Sequence, residues 1–179
     1  MKQYFMALII CCIAILDSAA YAQSPVNINQ IFRDSAGNEI LVGKCTIESL
    51  TETPFSSWFR QNYDAYIVDT ATCKFLSPLL KDKKITIFLG TWCGDSKRQV
   101  PAILKMLDCC NFPKENLTLI MVSNQPAQYK QSPQHEEKGR NILRVPTLII
   151  EDHQVEIGRI IEYPVVSLEK DMLSIVRKT

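Results

Sequence analysis

Cys93 is the residue of this chain best placed to do chemistry. It stands in Thr91-Trp92-Cys93-Gly94-Asp95-Ser96-Lys97, directly after the apolar run Ile85-Thr86-Ile87-Phe88-Leu89. Behind it, Val100, Ile103, Leu104 and Leu107 fall at i, i+3, i+4 and i+7, the spacing of one buried helix face. A cysteine at such a strand-to-helix turn meets unpaired backbone N–H groups and the positive end of the helix dipole. Both favour the thiolate, which is the nucleophilic form of the side chain. Lys97 and Arg98 add positive charge nearby, and Asp95 opposes them. The plain alternative is a small residue packed into a turn.

The elements that must hold this residue are legible on both sides of it. Residues 85–89 and 117–122 are continuous apolar runs, as expected of strands covered on both faces. Residues 39–46 read as a further strand. Thr53-Pro54 reads as a helix start, a capping residue followed by proline at the first helical position. Phe55, Trp58, Phe59, Tyr63 and Tyr66 then form a helical stripe that reads as core. Asp69 is placed to cap a second helix reaching to Lys81, with Pro78 an irregularity inside it. Residues 23–38 are polar and read as loosely held, 125–134 read as a surface loop, and 136–141 as a short helix. A strand at 148–151, a turn at Asp152-His153-Gln154 and a strand at 155–161 follow. Ser167 caps a last helix with Leu168, Met172, Leu173 and Val176 on its buried face.

Trp92-Cys93-Gly94-Asp95-Ser96 resembles the Trp-Cys-Gly-Pro-Cys site of the thioredoxin family. Pro101, eight residues past Cys93, matches the proline that kinks that family's active-site helix. Arg144-Val145-Pro146-Thr147 resembles the family's Ile/Val-Pro-Thr segment, and the strand–hairpin–strand–helix ending matches as well. The resemblance covers roughly residues 83–178. It implies a thioredoxin-like α/β three-layer sandwich, with a central mixed sheet and helices on both faces. It also implies that Pro146 is cis and faces Cys93, and that the backbone of Val145 pairs with a bound partner.

Two departures qualify the implied chemistry. The family's second cysteine is Ser96 here, and its buried acid, six residues before the first cysteine, is Ile87. That acid helps deprotonate the second thiol, so the two losses are chemically coherent. They leave Cys93 and Ser96 as the catalytic pair of positions, with Trp92, Gly94, Asp95, Val145 and Pro146 beside them. Glu162, in the loop that flanks the site in thioredoxins, is a candidate proton acceptor.

Ser96 cannot resolve a mixed disulfide. Cys109 and Cys110 lie at the far end of the same helix. At ~1.5 Å per residue they are about 24 Å from Cys93, while a disulfide needs Cα atoms within ~7 Å. Cys73 is a candidate resolving partner if its helix starts at the Cys93 end of the sheet; a structural Cys45–Cys73 bridge is the competing assignment.

The whole chain bounds these readings. Its 179 residues make one domain with an extension: a signal at 1–22, an N-terminal extension at 23–82 and the thioredoxin-like core at 83–179. Lys2, the apolar stretch 5–15 and Ala20-Tyr21-Ala22 have the n-region, h-region and cleavage-site pattern of a secretory signal. The stretch is shorter than the ~20 residues of a spanning helix, so no membrane association is expected after cleavage. The pattern suggests a bacterial periplasmic or secreted protein. A formal net charge of +1 gives no electrostatic case for a nucleic-acid partner. Cleavage leaves Cys45, Cys73, Cys93, Cys109 and Cys110, an odd number that flags a free thiol. None has zinc-ligand spacing, and neither metal nor organic cofactor is implied.

The function expected is thiol–disulfide exchange, or mixed-disulfide formation with a protein or small thiol, through one cysteine. The alternative is a non-redox binding module that keeps the fold and the groove beside its cis-proline.

Overall fold

The computed structural model describes residues 27–178; the signal read at 1–22 lies outside them. Six strands form one mixed sheet: β1 (Gln30–Arg33), β2 (Glu39–Cys45), β3 (Lys84–Leu89), β4 (Leu117–Met121), β5 (Thr147–Asp152) and β6 (Val155–Ile161). Their order is β1-β2-β4-β3-β5-β6. Only β3 and β4 run parallel; every other neighbouring pair is antiparallel. The helices are α1 (Glu48–Thr51), α2 (Ser56–Ala65), α3 (Thr70–Leu80), α4 (Gly94–Cys109) and α5 (Leu168–Val176).

The unit β3-α4-β4 followed by β5-β6-α5 is a thioredoxin-like α/β arrangement. Parallel β3 and β4 need a crossover, and α4 supplies it. The hairpin β5–β6 turns at His153 and Gln154, both with positive φ, where the sequence reading placed it.

Side chains of the central strands alternate between two faces. Ile85, Ile87 and Leu89 of β3, with Leu119 and Met121 of β4, join the larger core. Every helix feeds that core, through Leu50, Phe59, Leu76, Ile103 and Met172 among others. Phe88, Ile120, Val122, Val145 and Ile149 make a smaller cluster on the opposite face, packed against by Trp92, Cys93 and Ile142. The two covering layers are therefore unequal, one helical and one built largely of loop.

The loop layer shows why the helix read at 136–141 does not form. That segment consists of turns. Gly139 has φ +77, and His135 and Asn141 also take positive φ, which breaks a right-handed helix.

The extension is more ordered than its polarity implied. β1 forms a hairpin with β2, and β2 adds to the sheet along β4. The turn is closed by Asp34, whose carboxylate accepts from the N–H groups of Ala36 and Asn38 at 2.9 and 2.8 Å, with Gly37 at φ +85. Such local Asx chemistry defines a turn without an apolar signature.

Two helix starts separate in the same way. Asp69 accepts from the N–H of Thr72 at 3.0 Å and caps α3, as expected. Thr53–Pro54 is instead a cis peptide, and α2 begins at Ser56. Phe55 and Phe59 of the aromatic stripe are buried, and Trp58, Tyr63 and Tyr66 pack on the core.

Candidate functional site

Cys93 is the N-cap residue of α4, in extended conformation with φ −85 and ψ 126. Its N–H bonds the carbonyl of Gly90 at 2.9 Å, which closes the turn out of β3. No side chain caps this helix start. The first-turn amides of α4 are thus free of a competing side-chain acceptor, and the thiol sits at the positive end of the longest helix among the described residues. The half-buried Cys93 Sγ lies 3.3 Å from the carbonyl oxygen of Val145, and the Val145–Pro146 peptide is cis. Residues 52 positions apart in sequence therefore meet at one point.

The neighbours tie this arrangement together by hydrogen bonds and ring packing. Trp92 donates its indole N–H to the Val122 carbonyl at 2.7 Å and packs its ring against Tyr129, with centroids 5.6 Å apart. Thr91 is buried, and its hydroxyl accepts the N–H of Leu41 at 3.2 Å, tying β2 to the active turn. Thr147 donates to the carbonyl of Arg144 at 2.7 Å and fixes the loop that presents Pro146.

Ser96 is fully buried, and its hydroxyl accepts the N–H of Gly90 at 3.2 Å. It therefore braces the same turn whose carbonyl holds Cys93. Gly90 itself leaves no room for a side chain, since an added Cβ would fall 2.6 Å from the Trp92 ring. Asp95 forms an ion pair with Arg98, so those opposite charges near the thiol are spent on each other. Ile87 is buried in the larger core, with no carboxylate in its place.

Glu162 lies beside the proline, its N–H donating to the Pro146 carbonyl at 2.7 Å. Its carboxylate is held by Arg144 at 2.6 Å. The candidate proton acceptor is thus an ion-pair partner that fastens the Pro146 loop.

The structure does not bring Cys73 to Cys93. α3 packs across the α4–α5 layer, and Cys73 meets Cys109 and Cys110 at the opposite end of α4. Nor does it bring Cys73 to Cys45, whose thiol points to the Val42 carbonyl at 3.9 Å. All five described cysteines are free thiols. Burial pushes the Cys45 thiol up to about 12 and the Cys110 thiol up to about 11. Cys73 is raised as well, again chiefly by burial.

Several supporting residues carried no sequence signal. Tyr129 lies in a polar loop. Gly90 had a weak signal, a glycine between a strand and Trp-Cys. Glu169 is buried on α5 and accepts from Tyr66 Oη at 2.9 Å and Asp69 N–H at 3.1 Å. Beside Trp92 a groove of about 520 Å³ is lined by Pro54, Phe55, Trp58, Lys97 and Asp34 among others. Among the described residues, no cluster of three or more His, Cys, Asp or Glu is placed to hold a metal ion. None of their helices is long and apolar enough to cross a membrane.

The fold and this turn define a thioredoxin-like α/β protein with one half-exposed thiol facing a cis-proline. No family model matches the chain, and no curated protein sequence matches it. Solved structures do align with it. Mitochondrial thioredoxin 3 of Saccharomyces cerevisiae, in its oxidised form, is 23% identical over 63% of this chain and 98% of its own, with a TM-score of 0.38. Thioredoxin O2 of Arabidopsis thaliana, in its oxidised state, is 22% identical over 62% and 93%, with a TM-score of 0.37. A protein of unknown function from Pseudomonas aeruginosa is 16% identical over 66% and 78%, with a TM-score of 0.44.

Proposed function

We propose that the protein is an exported thiol–disulfide exchange protein that works through Cys93 alone. The observation that carries this reading is the Cys93 sulfur 3.3 Å from the Val145 carbonyl at the cis-Pro146. An extended peptide laid along Val145 presents its own disulfide to that sulfur. The Cys93 thiolate attacks one sulfur of the partner. The partner's S–S bond breaks, its second sulfur leaves as a thiolate, and a mixed disulfide to Cys93 remains. An external thiol then attacks this bond and restores Cys93. Ser96 takes no part in the exchange, since its hydroxyl is engaged with Gly90. Export rests on the Lys2, 5–15 and Ala20-Tyr21-Ala22 pattern.

The test is a peptide disulfide offered to the purified protein, followed by peptide mapping without reductant. The expected product is one stable adduct on Cys93 that disappears only when external thiol is added. An unmodified Cys93, or an adduct that resolves unaided, would overturn the reading. Amino-terminal sequencing of the protein recovered from outside the cytoplasm tests export, with Gln23 the expected first residue.

The groove beside Trp92 favours a second reading, a non-redox peptide-binding module. Its walls of Pro54, Phe55 and Trp58 suit an apolar side chain whatever Cys93 does. Equal peptide affinity for the native protein and Cys93→Ser, without any adduct, would select it.

A further inference from the structure

Three thiols lie outside the Cys93 site, and the fold gathers them. Cys73 sits on α3 and Cys109 and Cys110 at the end of α4, and the Cys73 side chain meets both of the others. Cys110 is committed inward: its Sγ lies 3.9 Å from the Cys73 carbonyl and 3.8 Å from Met106 Sδ. Ser77 clamps the Cys110 carbonyl at 2.6 Å, which fixes α3 against this turn. Cys109 is half-buried. With Cys73, Lys74, Ser77 and Lys81 it lines an open groove of about 610 Å³.

We propose that Cys73 and Cys109 form a second, dithiol–disulfide redox site that reacts with small anionic disulfides such as oxidised glutathione. The groove admits a small reagent to Cys109, and Lys74 and Lys81 at its rim attract carboxylates. In the first step the Cys109 sulfur attacks one sulfur of the reagent. The reagent's S–S bond breaks, one glutathione thiolate leaves, and Cys109 carries a mixed disulfide. In the second step Cys73 attacks the Cys109 sulfur. The mixed disulfide breaks, the second glutathione leaves, and a Cys73–Cys109 bond forms. The two cysteines lose two electrons, the reagent gains them, and both protons end on the glutathione thiols.

Burial pushes the Cys73 thiol up, so closure is the slower step and the mixed disulfide on Cys109 comes first. A bond between the adjacent Cys109 and Cys110 would be strained by its small ring. The site is independent of Cys93: the length of α4, about 24 Å at ~1.5 Å per residue, separates them.

The experiment uses the full-length protein, folded, in excess oxidised glutathione. It is quenched in acid, alkylated and digested with trypsin without reductant. Trypsin places Cys73 in residues 61–74, Cys109 and Cys110 in 106–114, and Cys93 in 85–97. The expected product is 61–74 linked to 106–114 with Cys110 alkylated, preceded in time by glutathione on Cys109. Cys110→Ser keeps the link and Cys109→Ser abolishes it. If a variant does not fold, fragmentation of the native linked peptide makes the same assignment. The proposal is overturned by alkylation of both peptides after oxidation, by a glutathione adduct that never closes, by a link through Cys110, or by a link that forms only in denaturant.

Discussion

The two ends of α4 carry cysteines in opposite circumstances. At the start, Cys93 is half-buried, lies on a turn and faces the Val145 carbonyl across a cis peptide. At the end, Cys110 is buried among Met106 and Cys73, with its thiol pushed up to about 11. The same functional group is half-buried beside a loop carbonyl in one setting and a packed core residue in the other. What separates them is access: Cys93 is half-buried at the helix start, and Cys110 is buried in the core.

The largest expected effect is the loss of exchange. Cys93→Ser should abolish adduct formation with a peptide disulfide while leaving the melting temperature nearly unchanged, because the half-buried sulfur contributes little packing. Persisting exchange at the same rate would move the chemistry to the other end of the helix.

Next comes the contrast in labelling. At about pH 7.5, Cys93 should alkylate about 100-fold or more faster than Cys45 and Cys110, whose thiols are held near 12 and 11. Site-resolved mass spectrometry reads both rates. Faster labelling of Cys110 would erase the distinction between the ends.

Ser96→Cys sharpens the comparison differently. A second thiol in the first turn of α4 should form an intramolecular disulfide with Cys93 and release bound partners without external thiol, by its high effective concentration. It also weakens the Gly90 bond. Ser96→Ala, which leaves that buried N–H unpaired, should cost about 2 kcal/mol in a denaturant titration.

At the buried end, Glu169→Ala removes the acceptor of both the Tyr66 hydroxyl and the Asp69 N–H. About 3 kcal/mol of stability should be lost, with α3 and its Cys73 loosened and Cys110 labelled faster. Unchanged unfolding midpoints would show that these bonds do not fasten α3.

The smallest effect is one of pH. Hydrogen bonds from the Thr72 hydroxyl and N–H hold the Asp69 carboxyl below its ordinary value of 3.8. A depressed folded value contributes stability that is present above the unfolded value and lost as pH falls through the folded one. Asp69→Asn keeps a good cap but cannot titrate, so its melting temperature should fall less between about pH 6 and about pH 3.

How much of this could be read from the chain follows the range of the interactions. The period of the apolar residues places α4 behind Cys93, and the Asp69 and Ser167 caps fix two more helix starts, because each is a contact within one turn. The β1–β2 hairpin was missed because its turn is closed by the Asp34 carboxylate and not announced by apolar alternation. α2 begins at Ser56 and not at the Thr53-Pro54 pair, although those residues look like a helix start.

By itself, then, the sequence determined a strand, a Cys93 turn and a helix in order, with a Val-Pro-Thr segment later and Ile87 where an acid would have been buried. Only the tertiary structure decided what those residues meet. It gave the Ser96 hydroxyl to Gly90, the Glu162 carboxylate to Arg144, and Cys73 to the far end of α4. The reason is physical. Periodicity and capping are set by neighbours within about four residues. The partner of a side chain some tens of residues away depends on the angle at which one helix packs across another, and no local pattern encodes that angle.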